Sequence, residues 1–415
     1  MNTPAKTGQP DSPNFRDPAT LRAHVRHALS FYDPVCVDAS GGFFHFYRDD
    51  GRVYDSQTRH LVSSTRFVFN YAMAYRHFGG EQYRQMMRHG LRFLRDAHRQ
   101  PDTGGYLWCL RWQDGAAQPI DADNHCYGLA FVMLAYAHAA LAGEPEAVAW
   151  MDETWALMEA RFWNPEAGLY ADVASADWSR LDPYRGQNAN MHACEAMLAA
   201  FDATADQRYL LRAETLARNI TMRQAALSDG QIWEHYKSDW LPDWDYNRED
   251  KTNIFRPWGI QPGHLSEWAK LLLTLERHRA LLADDGDWLL PRAQALFSQA
   301  MRHAWDREHG GLVYGFAPDG EVCDADKYFW VQAESLAAAG LLALRTGEAQ
   351  YWAWYDLIWS YAWDHMIDHQ HGAWFRILKP DNSAYSDEKS PAGKTDYHTM
   401  GACYEMLAAL ERAAS

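Results

Sequence analysis

In FRPWGIQPGHLSEWAKLLL, residues 255–273, a polar loop bearing Pro and Gly runs straight into an amphipathic helix, and His264 stands at the junction. Glu267 follows three residues later, and side chains at i and i+3 share a helix face, so imidazole and carboxylate can point into one space. A turn of helix thus carries a base and an acid to orient it. Pro262 fixes φ for the first turn, Gly263 permits close approach, and Glu267 complements the helix dipole. Taken alone, the pair is equally well read as a capping histidine with a first-turn carboxylate. Repetition elsewhere in the chain decides the matter.

Polar residues recur at the starts of five further apolar segments: Arg66, then Asn124 and Tyr127, Asn188 and His192, Trp330 and Glu334, and His398. One such residue on an oily helix is usually a satisfied structural group. A set of them at equivalent places lines a ligand site, to which Arg256, in the loop before His264, is added as a substrate-binding candidate. Three histidines, an arginine, a glutamate and amides suit proton transfer near neutral pH, because imidazole serves there as both acid and base. There is no G-x-S-x-G elbow, phosphate-binding loop or dinucleotide fingerprint. His192, His264, Glu267 and His398 are also chemically suited to zinc or iron, although H-x-x-E is not the H-E-x-x-H pattern.

The elements that position these residues come from a repeat. A Gly followed by an aromatic or β-branched run occurs at Gly42, Gly105, Gly168, Gly230, Gly311 and Gly372, with spacings of 63, 63, 62, 81 and 61 residues. Six copies of one unit follow, the fourth enlarged by DWLPDWDYNREDKTNIFRPWG. In each, a helix with one charged face precedes the motif and an Ala-rich helix, apolar nearly all round, follows it. This predicts an all-α fold, an (α/α)6 barrel of twelve alternating inner and outer helices with short β-hairpins at one rim. An open solenoid is the competing arrangement. The expected organisation is a flexible leader over residues 1–17 and a single catalytic domain over 18–415.

Composition narrows the partners. A net charge of −16 over 415 residues, with no long basic run, argues against nucleic acid and anionic membranes. No stretch is apolar enough to span a bilayer, and the polar leader lacks a secretory core, so the expected location is the cytoplasm. Six scattered cysteines form no C-x-x-C pair and read as free thiols. Aromatics at 14%, many in polar company, suit a sugar, with flat platforms for C–H faces beside hydroxyl-binding groups. The expected partner is a small monosaccharide, bound by a monomer or homodimer.

The segments LVSSTRFVFNYAMAY, QNANMHACEAMLAA, QPGHLSEWAKL, WVQAESL and DYHTMGACYEML, holding Arg66, His192, His264 with Glu267, Trp330 and His398, resemble the N-acylglucosamine 2-epimerase family. The resemblance covers essentially the whole chain after the leader and is most similar to the D-mannose isomerase branch. It implies an (α/α)6 barrel with no metal and no cofactor, interconverting D-mannose with D-fructose and also D-lyxose with D-xylulose. His264 and His398 would be the acid/base pair on an opened aldose. Arg66 would contact oxygens near the reacting carbons, and His192 and Glu267 would contact substrate or assist a histidine. Tyr127, Asn188 and Trp330 would line the pocket.

Chemistry assigns the steps. Aldose–ketose exchange needs ring opening, then removal of the C2 proton and its return to C1 on one face of a cis-enediol, so one base suffices. His398 is assigned to that shuttle and His264, oriented by Glu267, to the ring oxygen, with Arg66 on the developing enediolate. A sugar 2-epimerase of the N-acylglucosamine or cellobiose type needs bases on opposite faces of C2, which the same two histidines could provide. A glycoside hydrolase would instead need two carboxylates, with Glu234, Glu267, Glu334 and Asp396 as candidates.

Overall fold

A computed structural model describes residues 12–250, 253 and 255–414. Among them the repeat becomes twelve α-helices: α1 (Pro18–Ser30), α2 (Leu61–Phe78), α3 (Glu81–Phe93), α4 (Cys126–Leu141), α5 (Glu146–Arg161), α6 (Gln187–Thr204), α7 (Gln207–Arg218), α8 (Pro262–Glu276), α9 (Leu289–Ala304), α10 (Phe329–Thr346), α11 (Ala349–Tyr361) and α12 (Tyr397–Ala414). Even-numbered helices form an inner ring, each packed on the next, and α12 returns to pack on α2. That contact closes the barrel and removes the solenoid alternative. Odd-numbered helices cover them from outside, with α1 lying on α12, so the first helix of the chain seals the last.

Burial follows the sequence pattern. In α4, CYGLAFVMLAYAHAAL, twelve of sixteen residues are buried, whereas α3, EQYRQMMRHGLRF, buries only Met87, Gly90, Leu91 and Phe93. A helix without a polar face needs partners all round, and only the inner ring supplies them. Small residues set the spacing: a Cβ on Gly340 of α10 would stand 2.4 Å from Met406 Sδ of α12. The Gly of the repeat has a positive φ at Gly42, Gly168, Gly230, Gly311 and Gly372, while in the second unit that role falls to Gly104. Each makes the tight reversal that brings the chain back from an outer helix.

Hairpins stand at the rim as expected, among them Phe46–Arg48 with Val53–Asp55, Cys109–Gln113 with Ala116–Asp121, and Gly315–Phe316 with Val322–Asp324. Short antiparallel pairings join neighbouring units: Thr58–His60 with Cys109–Gln113, Asn124–His125 with Val173–Ala174, Arg185–Gly186 with His235–Tyr236, and Lys327–Tyr328 with Ile377–Leu378. Phe46–Arg48 pairs with Glu388–Ser390, closing the ring a second time at the rim. These bonds fix the entry of each inner helix against its neighbour. Thr58–His60, Asn124–His125, Arg185–Gly186 and Lys327–Tyr328 lead directly into inner helices.

Part of the expected leader, residues 1–11, lies outside the described residues. The rest is not loose: Phe15 is buried and stacks on Trp359 with ring centroids 3.7 Å apart, and Asp17 caps α1 through Ala19 N. Phe15→Ala is expected to cost about 3 kcal/mol of unfolding free energy, the scale for truncating a buried Phe. Denaturant titration checks this; a loss below about 1 kcal/mol would place residue 15 outside the core.

Candidate active site

All six inner helices start at one rim, and their first turns enclose a cleft. Arg66 of α2, Tyr127 of α4, Asn188 and His192 of α6, His264 and Glu267 of α8, Trp330 of α10 and His398 of α12 all line it. Three expected residues do not, one of them Glu334, which lies behind His398 with Oε1 2.7 Å from its Nδ1. Asn124 spends its amide on backbone, accepting from Tyr106 N at 3.1 Å and donating to Ser175 O at 3.2 Å. Arg256 lies over the Tyr184 ring, 3.9 Å from its centroid, and donates to Tyr246 Oη in an adjoining cavity.

His264 is oriented, but not by Glu267. Its Nδ1 lies 2.9 Å from Glu234 Oε1, a residue just before a rim strand. Glu234 is fixed in turn by Gln187, whose Nε2 donates to Glu234 Oε2 at 2.8 Å while its Oε1 accepts from Trp268 Nε1 at 2.7 Å. Gln187 Nε2 also lies 3.0 Å from His264 Nδ1, but Glu234 is the nearer and the charged partner, which makes Nδ1 the donor and leaves the lone pair on Nε2. The Trp330 ring lies 4.9 Å from the His264 ring and 5.9 Å from that of His398. It fits because residue 263 is Gly: a Cβ there would meet Trp330 at 2.3 Å.

His398 has its own carboxylate, with Nδ1 2.7 Å from Glu334 Oε1. On the other side of the ring, Arg66 Nη2 donates to Nε2 at 3.3 Å. Both contacts demand one tautomer, Nδ1–H with a lone pair on Nε2. Burial, then the positive charge of Arg66, push the imidazole well below its ordinary pKa and so favour the neutral ring. The Arg66 guanidinium is sandwiched between Phe131 and Tyr397, 4.4 and 4.7 Å from the ring centroids, and also donates to Gly393 O and to Tyr127 Oη.

Glu267 turns toward the middle of the bundle. Its Oε1 is 3.7 Å from His192 Nδ1, whose nearer partner is Glu195 Oε2 at 2.9 Å. The i, i+3 geometry expected at 264–267 is thus realised at 192–195. Fully buried, both Glu267 oxygens lack a hydrogen-bond partner among the described residues. Burial, then the nearby Glu334 carboxylate, raise its pKa well above the usual range, so Glu267 can present a proton to a ligand oxygen. Asn188 Oδ1 is likewise buried without a partner and faces the same cleft.

The four residues weighed as metal ligands do not assemble, since His192, His264 and His398 turn to three different carboxylates. Donor atoms of His192, Glu195 and Glu267, and of Glu267, Glu334 and His398, do crowd within 4.8 Å. The cation among them is the Lys270 ammonium, 2.8 Å from Glu334 Oε2. Three of the four hydrolase candidates are committed elsewhere, which leaves Glu267 without a second carboxylate: Glu234 and Glu334 hold imidazoles, and Asp396 is tied to Lys394, Tyr32 Oη and Trp374 N.

Sequence reasoning missed Glu234 and Glu334 as orienting acids, as well as Glu195, Lys270 and the wall formed by Tyr314, Tyr328 and the loop 391–394. Glu195 was legible as a second H-x-x-E. Glu334 was legible as a carboxylate on an apolar helix, and Lys270 as a lone Lys on another. Nothing local marks Glu234, because its partner is thirty residues away and set by strand pairing.

The fold and the cleft define a helical-barrel enzyme of the sugar epimerase and isomerase class. The chain belongs to the N-acylglucosamine 2-epimerase family, whose sequence profile matches residues 42–402. It is 54% identical to the D-mannose isomerase of Marinomonas mediterranea, over 96% of this chain and 99% of that one. A crystal structure of D-mannose isomerase superposes with a TM-score of 0.92 at 53% identity, covering 95% of this chain and 99% of the other. The cellobiose 2-epimerase of Spirochaeta thermophila shares the fold, with a TM-score of 0.84 at 24% identity and coverage of 96% and 97%.

The re-paired dyad is testable. Glu234→Gln is expected to lower kcat about 100-fold, because a neutral amide no longer dictates the His264 tautomer. Steady-state kinetics check it, with circular dichroism confirming the fold. Wild-type turnover in Glu234→Gln would return the orienting role to another group.

Proposed function

We propose that this protein is a cytoplasmic aldose–ketose isomerase that interconverts D-mannose and D-fructose, with D-lyxose and D-xylulose as a second pair, and needs no metal. The observation carrying the reading is the chain Glu334–His398–Arg66, which sets a neutral imidazole lone pair beside a guanidinium. A base and a donor for the oxygen made anionic by that base stand 3.3 Å apart. Similarity to D-mannose isomerases supplies the sugar. For location, no described helix is long and apolar enough to cross a membrane, and all six cysteines are free thiols.

The cyclic aldose opens when His264 Nε2 takes the proton of the anomeric hydroxyl and delivers it to the ring oxygen as the C1–O bond of the ring breaks and the C1 carbonyl forms. His398 Nε2 then takes the C2 proton. The C2–H electron pair becomes the C1–C2 double bond, and the carbonyl pair moves onto O1, where Arg66 meets the charge. The proton on O2 passes to O1 across the cis-enediolate. His398, now imidazolium with Nδ1–H on Glu334, returns its proton to C1 and leaves the 2-ketose. Glu267 and Asn188 are placed for the remaining hydroxyls, and the Trp330 face for C–H groups.

The test is proton NMR of D-mannose with purified enzyme in D2O containing EDTA. Fructose resonances are expected to grow at the rate seen without chelator. Glucose as the product would make the protein a 2-epimerase, and loss of turnover restored by one divalent ion would establish a metal enzyme.

The pH profile follows from the same geometry. A lowered His398 pKa keeps the base neutral as pH falls through the ordinary imidazole range. The acid limb of kcat/KM is therefore expected below the unperturbed value of about 6.5, as read by initial rates from pH 4 to 9. A limb above that value would take His398 out of the role of base.

A further inference from the structure

Lys270 is the residue the mechanism leaves unused. It sits in the middle of α8, six residues after His264 and one turn after Glu267, and is 4% exposed. Burying an ammonium is strongly unfavourable unless anions surround it. They do: Nζ is 2.8 Å from Glu334 Oε2 and 3.7 Å from Glu405 Oε1, with Glu195 and Glu267 close enough to add to the field. Burial works to lower the Lys270 pKa, but Glu334 and Glu405 outweigh it and hold the ammonium charged.

Glu334 therefore has two assignments, one per oxygen: Oε1 to His398 Nδ1 and Oε2 to Lys270. Facing it are Glu195 and His192 from α6, Lys270 and Glu267 from α8, and His398 from α12, with Glu405 of α12 on the far side of Lys270. Burial favours the neutral acid, and two carboxylates add to that; Lys270 is the cation in hydrogen-bond reach that opposes it. We propose that Lys270 is a positioning residue for the catalytic base: it keeps Glu334 ionised, so that Glu334 accepts from His398 Nδ1 and Nε2 keeps its lone pair toward Arg66 and the cleft. Without the ammonium, Glu334 becomes a carboxylic acid that donates to Nδ1, the tautomer inverts, and Nε2 carries a proton where it must accept one. The inference rests on His398 being the base of the isomerase reading.

A second cavity makes Lys270 accessible to experiment. About 490 Å³ in volume, it enters between the opposite, C-terminal ends of the inner helices, past Arg76, Arg277 and Arg412, and reaches Lys270 and Glu334 from behind. Its far end touches His398 and adjoins the cleft only there. A small amine can occupy the place of a truncated Lys270 by this route.

The experiment pairs kinetics with the nitrogen-15 spectrum of histidine-labelled full-length enzyme. Lys270→Met is expected to lower kcat on the order of 100-fold. Because its Glu334 ionises only at higher pH, activity should be absent below that point and return above it, moving the acid limb of kcat/KM upward. The spectrum should show His398 as the Nδ1–H tautomer in wild type and as Nε2–H in Lys270→Met at neutral pH. Ethylammonium should restore turnover to Lys270→Ala, and tetramethylammonium, lacking N–H, should not. Wild-type turnover in Lys270→Met, or lost turnover with limb and tautomer unmoved, overturns the proposal. If the Met variant does not fold, an Nε2–H tautomer of His398 in wild type overturns it equally, and an Nδ1–H tautomer kept by Lys270→Arg supports it. A Lys270-dependent tautomer in an enzyme inert toward mannose would sink the isomerase reading and leave standing only the control of the His398 tautomer by Lys270.

Discussion

A polar side chain on an inner helix of a closed helical ring has no water at its flank, only other inner helices, and a buried polar group without a partner is strongly destabilising. Most functional side chains here answer to that constraint within the barrel, while Glu267 and Asn188 Oδ1 are left without a partner among the described residues. His398 of α12 reaches Glu334 of α10, Glu334 reaches Lys270 of α8, Tyr397 of α12 donates across the barrel to Glu195 of α6 at 2.5 Å, and Ser266 meets Ser335 at 2.9 Å. The bonds that orient the chemistry are thus also bonds between staves of the barrel. Closure at α12 and α2, sealed by the Phe46–Arg48 pairing with Glu388–Ser390, is what makes them possible.

The same enclosure sets the electrostatics. Six inner helices point their N-termini at the cleft, and each carries partial positive charge there. Arg66 adds a full one, held by two aromatic faces. A neutral sugar gains little from this in the ground state, whereas an enediolate gains a great deal, so the field acts on the transition state. The overall charge of −16 does not contradict a cleft of this sign, because field at a site depends on local groups and on how far solvent screens the remote ones.

Much of this was legible in the sequence. The sixty-residue repeat announced six units, the unbroken apolar pattern of alternate helices announced an inner ring, and the polar residues at their starts announced eight of the cleft residues. Gly263 was readable as a site of close approach, which the Trp330 ring makes. What the sequence hid was pairing across the barrel. The i, i+3 rule put His264 with Glu267, yet at the third residue of α8 an imidazole still faces the rim, where Glu234 waits just before a strand. Glu267, a turn deeper, faces His192. Asn124 and Arg256 were misplaced for a related reason: each precedes an inner helix, where side chains serve the rim, as Asn124 does toward Ser175 and Arg256 toward Tyr184. Helix periodicity tells which face a residue occupies, but not which neighbour it finds.

The two histidines are not equivalent, and this bears on the direction of the chemistry. Each is held at Nδ1 by a carboxylate, but only Nε2 of His398 also receives a guanidinium N–H at 3.3 Å. A cation so placed favours the neutral ring before reaction and stabilises the oxyanion formed once that ring has taken a proton from carbon. His264 faces Glu234 and the aromatic plane of Trp330, with no guanidinium at its Nε2 among the described residues. An epimerase must deliver a proton to the face of C2 opposite the one that lost it, so both imidazoles must trade protons with carbon. On the mechanism proposed here, the asymmetry of their surroundings instead separates a base for carbon from an acid for oxygen. With one base for carbon, the proton taken from C2 goes back on the same face, and the adjacent carbon of the cis-enediol is where it makes a ketose.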